Sequence, residues 1–293
     1  MIINVLVNPA AGRGRSLRLL PKVKSWLPRG IHDFKFIMTE SRLDLIDKTR
    51  AASVGNVDAI LSLGGDGTAH DISQAMAADG PALGVLPCGR GNDFARNMGY
   101  PTGLRAICKG FARPSFKEID LPTVNNIPFL SIAGVGFDSL VSRLTRDGRC
   151  RIGGTACYVW YLLKALFLFH PVDLQLDLDG KPEQGEYMMA AAANAPCYGG
   201  GMRMAPEARP DDGLLDVVLI DRMAIPGLLR RFPKVYAGKH VQLDQVRVTR
   251  ARRITLTSGR ELEIYADGEF MAKLPATIEV GTKRMKVIVP GSV

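Results

Sequence analysis

Four short apolar runs alternate with helix-forming stretches in the first 90 or so residues, and that alternation limits the chain to few folds. "IINVLV" (2–7) reads as a strand and Ser16–Leu27 as a helix. "DFKFIM" (33–38) is a second strand and Ser41–Ala52 a second helix. "DAILSL" (58–63) is a third strand, Ala69–Ala78 a third helix and "ALGVLP" (82–87) a fourth strand. Strands joined through single helices pair in parallel, and the helices then cover both faces of the sheet. In such sheets ligands bind beyond the carboxyl ends of the strands. The loops after the first, third and fourth strands, "NPAAGRGRS", "GGDGTAH" and "PCGRGNDFARN", should therefore line one crevice.

After about Lys117 the texture changes. "VDLQLDLDG", "GEYMMAAAAN", "LLDVVLID", "RRITLTSG", "ELEIYADGE" and "RMKVIVPG" are short, often alternating, and bounded by Gly, Asp or Pro. They predict an antiparallel β domain of sandwich type, interrupted by helices near 153–168 and 225–237. The domain boundary is placed at 121/122, the β-rich domain running over 122–281 and residues about 282–293 returning to the first domain. A 293-residue chain with 46% hydrophobic residues has ample core for two such domains.

The formal net charge of +9 favours an anionic partner. No interleaving of aromatic and basic residues points to RNA, and nucleic acid is not expected. Five cysteines, an odd number with no C-x-x-C pair, suit a reducing compartment and offer no zinc site. "MIINVLVNP" has neither the basic start nor the cleavage site of a secretory signal, so the expected location is cytoplasmic rather than secreted. The apolar stretch 152–170 contains Lys164 and opens on Gly153–Gly154. It is read as a buried or interface helix, with membrane spanning as the minority reading.

Each loop carries a functional reading and a plain one. In the first, Asn8 and Pro9 end a strand, Gly12 and Gly14 free the backbone, and Ser16 is placed to cap the next helix. Such loops present N–H groups to anions, but they are often only turns. The dinucleotide fingerprint fails because Leu17 stands where a third glycine is required, and no P-loop pattern occurs. In "GGDGT", Gly64 and Gly65 would admit a ligand to the main chain and Gly67 a turn of positive φ. Thr68 supplies a hydroxyl, and Asp66 either binds magnesium or caps a helix. In the third loop Asn92 is a helix cap, Asp93 a second carboxylate, and Arg90 and Arg96 suit phosphates or are ordinary surface charges.

"GGDGT" resembles the nucleotide motif shared by phosphofructokinases, NAD kinases and diacylglycerol-type lipid kinases. "GRGNDFAR" (89–96) is similar to the diacylglycerol kinase catalytic-domain family in particular, where G-T-x-N-D-F-A-R is usual. The likeness continues in order through "NPAAGRG", "EIDL" (118–121), "IAGVGFD" (132–138), "GGGMRMAPEARPDDGLLDV" (199–217) and "ADGE" (266–269), and is nearest to the soluble bacterial lipid kinases. It implies an N-terminal three-layer α/β/α nucleotide-binding domain of the phosphofructokinase and NAD-kinase kind, followed by an antiparallel β-sandwich that holds the lipid acceptor.

By the same resemblance the cofactors are ATP and Mg2+. The nucleotide would lie on Asn8, Pro9, Gly12, Gly64, Gly65, Asp66, Gly67, Thr68, Arg90, Asn92 and Asp93, with Thr39 near the adenosine. Arg90 departs from the family's usual Thr or Ser. Asp66, Asp93 and Asp120 would form an acidic network around the nucleotide's magnesium. A second magnesium would take the Asp212 carboxylate and the carbonyls of Arg209 and Leu214, although those residues read alone as an ordinary turn. Glu269 is the implied general base, with Asp267 beside it, both across the cleft from the glycine loops.

The expected reaction is transfer of the γ-phosphate to a lipid hydroxyl presented at a membrane surface. Diacylglycerol, giving phosphatidic acid, is the first choice; phosphatidylglycerol, a sphingoid base and ceramide stay open. The 152–170 helix is a candidate wall for acyl chains. Segments 228–240 and 247–253 would dock on anionic lipid or serve as solvated basic surface. The reading allows peripheral membrane association and a homodimer. Two alternatives are carried: an NAD kinase-like enzyme, and a non-enzymatic lipid-binding protein on a kinase scaffold.

Overall fold

The structure is a computed structural model that describes residues 1–76, 79–147, 160–161, 164–165 and 167–291. The chain folds as two compact units, Met1–Leu121 with Lys283–Val293, and Pro122–Thr282.

The first unit contains β1 (Ile2–Val7), α1 (Arg15–Trp26), β2 (Asp33–Met38), α2 (Arg42–Ala52), β3 (Ala59–Gly64) and α3 (Asp66–Ala75). It continues through β4 (Ala82–Pro87), α4 (Asp93–Asn97), α5 (Leu104–Gly110) and β5 (Ser115–Asp120), and closes with the last strand of the chain, β17 (Arg284–Val289). The sheet order is β2-β1-β3-β4-β17-β5; β1 to β4 and β17 run parallel, and β5 is antiparallel to β17. Because β2 and β3 flank β1 on opposite sides, the connections reverse direction there. The carboxyl ends of β1 and β3 thus mark a switch point, where such sheets open a crevice.

β1, β3 and β4 are buried almost throughout because helices pack on both faces. α1 packs beside α5 and α2 beside α3. Alternate residues Ile3, Val5, Leu61 and Leu63 join Val23, Ile107 and Phe111 in one core cluster. On the other face Asn4 is buried, and its Nδ2 donates to the Ala52 carbonyl at 2.9 Å, satisfying the end of α2. Each fully buried Leu contributes roughly 1.5–3 kcal/mol, so the strands form a firm base for the loops beyond them. "RMKVIVPG", similar in texture to the strands of the β domain and within the residues expected to return to the first, forms β17 of this sheet. Tyr100 joins β17 to β4, its hydroxyl donating to Ile288 O at 2.6 Å and accepting from Val85 N at 3.3 Å.

The second unit is antiparallel. Its strands are β6 (Thr123–Val124), β7 (Ile127–Pro128), β8 (Ile132–Gly136), β9 (Val172–Leu178), β10 (Lys181–Ala193) and β11 (Leu215–Asp221). They are followed by β12 (Val246–Ala251), β13 (Arg253–Thr257), β14 (Glu263–Ala266), β15 (Glu269–Lys273) and β16 (Ala276–Glu279). β10 makes the sheet fold over. Residues 181–187 pair with β9, a bulge falls between Tyr187 and Met189, and residues 189–193 pair with β8. A bulge bends a strand and increases its twist. Inward residues from both halves, among them Val135, Leu174, Val217, Ile254 and Ile264, then fill one core.

The expected helix near 225–237 is present as Ile225–Arg231 and Pro233–Tyr236. Most of the stretch expected as a helix at 153–168 lies outside the described residues, as do the last two residues, 77 and 78, of the expected third helix. Residues 160, 161, 164, 165, 167 and 168 are helical. Among the described residues no helix is long and apolar enough to cross a membrane.

One buried acid belongs to this unit's core. α6 (Phe137–Asp147) follows β8 directly, and the Asp138 carboxylate lies where a Cβ on Gly134 would be. Only glycine at 134 leaves that space. Asp138 Oδ1 accepts the Ser139 N–H at 2.8 Å, and Ser139 Oγ donates to Gly134 O at 3.0 Å. Burial pushes the Asp138 carboxyl up to about 7, against a lowering by its hydrogen bonds. Between about pH 4 and pH 7 the folded chain therefore holds a proton that the unfolded chain has released, and stability falls as pH rises through that window. Asp138→Asn should flatten the fall and raise stability at pH 8 by at most about 4 kcal/mol. Denaturant midpoints measured at pH 4.5 and pH 8 check this: a gain over the wild type at pH 8 that shrinks at pH 4.5 is expected.

Candidate active site

β1, β3 and β4 end side by side, with Val7 opposite Leu63 and Gly64 opposite Pro87. Backbone bonds continue the pairing into the loops, from Asn8 N to Leu63 O at 3.2 Å and from Cys88 N to Gly64 O at 2.9 Å. Asn8 spans two loops, its Nδ2 donating to Thr68 Oγ1 at 3.0 Å and its Oδ1 accepting Ala10 N at 3.1 Å. Ser16, expected as a helix cap, does something else. Helix α1 starts after Gly14 with no side-chain cap, and the buried Ser16 hydroxyl donates to Asn8 O at 2.5 Å. It ties the loop down.

The glycines make room for the protein itself. Gly12 has φ +60, and a Cβ there would strike the Cys88 carbonyl. A Cβ on Gly65 would come within 3.2 Å of Gly89 Cα, and one on Gly89 within 2.8 Å of Gly65 Cα. A Cβ on Gly64 would stand 2.5 Å from Thr68. Close approach of one part of the protein to another therefore explains Gly12, Gly64 and Gly65, where approach of a ligand was expected. Gly67 needs no turn of positive φ, because α3 begins at Asp66, three residues before its expected start, and Gly67 lies in its first turn.

Asp66 caps a helix, but not its own. Its Oδ2 accepts Asn92 N at 2.6 Å and its Oδ1 accepts Phe94 N at 3.1 Å, so it satisfies the opening N–H groups of α4. Asn92 gives no cap through its side chain. It adopts φ 53, its Nδ2 donates to Gly89 O at 3.2 Å, and its buried Oδ1 has no hydrogen-bond partner among the described residues. Asp93 is buried and ion-pairs with Arg96 one turn on. Between these loops lies a cavity of about 10 Å³ lined by Gly65, Asp66, Pro87, Asn92 and Ala95. That is the space of a single water. Pro9 lies at the rim of the first loop and Arg90 is exposed on the turn of the third.

Two expected members of the set stand elsewhere or are committed. Thr39 follows β2 and is buried; its Oγ1 donates to Val7 O at 3.0 Å. Asp120 pairs in register with Arg284, the first residue of β17, which runs parallel to β4. It therefore lies at the amino ends of the parallel strands, opposite the loops that hold Asp66 and Asp93, and its Oδ1 is 3.2 Å from Arg284 Nε. Among the described residues no group of three or more His, Cys, Asp or Glu side chains could hold a metal.

In the second unit Asp267 (φ 53) and Gly268 (φ 87) form the two-residue turn between β14 and β15. Asp267 Oδ2 accepts Leu130 N at 2.7 Å and Oδ1 accepts Ser131 N at 2.8 Å, while its own N–H donates to Ile132 O at 3.1 Å. Asn194 holds the same two residues from their carbonyl side, through Leu130 O at 3.1 Å and Ser131 O at 2.8 Å. Asp267 is thus a clamp on the lead into β8. Glu269, the first residue of β15, is half-buried, and its side chain enters no hydrogen bond or ion pair with the described residues. Sequence alone could not separate these two acids; hydrogen bonding does.

At residues 207–216, Asp212 Oδ1 accepts Leu214 N at 3.1 Å, and Arg209 Nε lies 3.3 Å from Asp211 Oδ1. Asp216 is 3% exposed. Its Oδ1 is 3.4 Å from Arg250 Nε, and its buried Oδ2 has no hydrogen-bond partner among the described residues. Burial raises the Asp216 carboxyl; Arg250 opposes this, and the charges of Asp212 and Glu207 add to it. Neither Asp216 nor the buried Asp138 was expected from the sequence. The glycine four residues before Asp138 was the one visible signal, and Asp216 gave none.

The model of the diacylglycerol kinase catalytic domain matches residues 3–124, and that of the YegS C-terminal NAD kinase beta sandwich-like domain matches residues 131–289. A diacylglycerol kinase of Mycobacterium tuberculosis is 32% identical over 295 residues, covering 98% of this chain and 95% of the relative. One from Bacillus subtilis is 27% identical over 296 residues, with 98% and 95% covered. A crystal structure of a diacylglycerol kinase from Bacillus anthracis str. Sterne shares the fold, with a TM-score of 0.71 at 21% identity and 98% and 96% of the two chains covered.

The two hairpin acids should separate in stability. Asp267→Asn sets an amide against two backbone donors and leaves one unsatisfied, at about 1–3 kcal/mol, so the melting temperature should fall by several degrees. Glu269→Gln removes no bond and should melt with the wild type. Thermal unfolding of the three proteins checks both.

Proposed function

The chain belongs to the diacylglycerol kinase catalytic-domain family, and from that membership we propose that it transfers the γ-phosphate of ATP to the free hydroxyl of diacylglycerol, giving phosphatidic acid. Full-length similarity to diacylglycerol kinases, at 32% identity over 98% of the chain, is the observation that carries the reading. The switch-point loops Asn8–Gly14, Gly64–Thr68 and Gly89–Asp93 take the nucleotide. Glycine-rich loops at the carboxyl ends of strands suit phosphate oxygens. Thr39 closes the sheet edge on the same side. Asp120 is left out of this set because of its register.

Glu269 is the proposed base. Transfer to an alcohol requires the hydroxyl proton to leave as the oxygen bonds to phosphorus, and Glu269 has a carboxylate uncommitted to the fold. Asp267 positions it by fixing the hairpin.

Magnesium bound with the nucleotide supplies charge neutralisation at the phosphates. Both Asp66 oxygens already accept N–H bonds, so Asp66 fits a magnesium through that ion's waters better than by direct ligation. For the second ion, the buried, unpartnered Asp216 Oδ2 beside Asp212 fits a cation held by Asp212 and the Arg209 and Leu214 carbonyls.

We further infer that the acceptor is met at a membrane surface. Trp160, Phe167 and Leu168 are 57%, 72% and 52% exposed, and Lys164 is exposed beside them. Aromatic and aliphatic side chains with a basic neighbour suit the lipid interface.

Radiolabelled ATP with magnesium, offered with dispersed diacylglycerol, phosphatidylglycerol, ceramide or a sphingoid base and separately with NAD, tests the reaction. Label in phosphatidic acid is expected; label in NAD alone would overturn the lipid reading. Glu269→Gln should lower kcat by about 10²–10⁴-fold with little change in the KM for ATP. For the second ion, added magnesium should raise the melting temperature of the wild type but not of Asp212→Asn. An equal rise in both would remove the ion from that loop.

A further inference from the structure

No polar contact with the described residues holds the Glu269 side chain. Glu269 opens β15 directly after the Asp267–Gly268 turn, so the backbone of that turn carries it. A base must stand within hydrogen-bond reach of the proton it takes. A displacement of about 1 Å costs on the order of a hundredfold in rate. The accuracy of Glu269 therefore depends on what holds the turn.

The turn is tied to Leu130 and Ser131, two buried residues that lie between β7 and β8 and belong to neither. Asp267 takes both of their N–H groups, at 2.7 and 2.8 Å. Both of their carbonyls go to one residue, Asn194. Its Nδ2 donates to Leu130 O at 3.1 Å and its own N–H to Ser131 O at 2.8 Å. Four backbone groups are thus satisfied by two residues. The set runs in a row across neighbouring strands: Asn194 just past β10, Leu130 and Ser131 ahead of β8, Asp267 just past β14, and Glu269 opening β15. Asn194 is fully buried. The chain bends there, and Pro196, two residues on, has no N–H with which to carry the ladder further. The side-chain amide extends the bonding instead. Alanine at 194 would take this donor from Leu130 O, and aspartate would set a carboxylate against that carbonyl.

We propose that Asn194 is a positioning residue for the phosphoryl transfer: it holds Leu130 and Ser131 against Asp267, and so fixes Glu269 at the acceptor hydroxyl. This rests on the reading of Glu269 as the base, and deepens it. Asn194 acts through backbone, at a remove from the reacting atoms, so its loss slows turnover and leaves ATP binding intact. Its contribution exists only while there is a base to place.

Steady-state kinetics on dispersed diacylglycerol test this, with Asn194→Ala and Asn194→Asp each made in the wild-type and the Glu269→Gln backgrounds. In the wild-type background each replacement should lower kcat about 10–100-fold and leave the KM for ATP within about twofold. In the Glu269→Gln background the same replacements should change kcat by less than about twofold. Amide hydrogen exchange reads the link without turnover: exchange at Leu130, Ser131 and Asp267 should quicken in Asn194→Ala, while β11 and β12 keep their protection. The proposal fails if kcat is unchanged, if it falls by the same factor in both backgrounds, or if exchange at Asp267 does not move. Faster exchange at Asp267 in a protein that phosphorylates no lipid would keep the clamp and sink the acceptor assignment. Equal losses in both backgrounds, with Glu269→Gln itself impaired, would sink the role of Asn194 and keep the base.

Discussion

Asp66 and the glycines around it hold the end of the first sheet together. Its carboxylate takes the opening N–H groups of α4, and it reaches them because Gly65 and Gly89 bring two loops into backbone contact. Gly12 does the same for the first loop against Cys88. A Cβ at any of these three positions would push the loops apart and leave α4 uncapped. The acid and the glycines are one device.

The second unit repeats the device with other parts. Asp267 accepts two consecutive backbone N–H groups at the start of β8, while Asn194 holds the carbonyls of the same residues. In both units the aspartate of a conspicuous motif holds backbone in place. Charge-assisted hydrogen bonds to backbone are strong and directional, so a carboxylate used in this way fixes a loop better than apolar packing would in a solvent-facing turn.

How far the sequence could be read follows from the range of the interactions concerned. β1 to β4 were legible nearly to the residue because short apolar runs between helix-forming stretches leave little choice of boundary. The start of α3 was misplaced by three residues because Gly-Asp-Gly reads locally as a turn, whereas its helical form depends on Asp66 being anchored to α4. β17 has the alternating texture of the β-domain strands, and its pairing with β4, some 200 residues away, fixes its place in the first sheet. The resemblance implies that Asp120 joins Asp66, and the reversed direction of β5 carries it to the other end of the sheet.

The sequence by itself determined the alternating sheet, its carboxyl-end loops, the antiparallel second half and the motifs that mark the family. These rest on periodicity, glycine and turn chemistry, all expressed within a few neighbouring residues. Tertiary structure alone decided which acids are committed to backbone and which are free, because that depends on donors far away in the chain: Asn92 and Phe94 for Asp66, Leu130 and Ser131 for Asp267. It also decided that the glycines fit one loop against another, since a missing side chain gives no sign in the sequence of what fills its place.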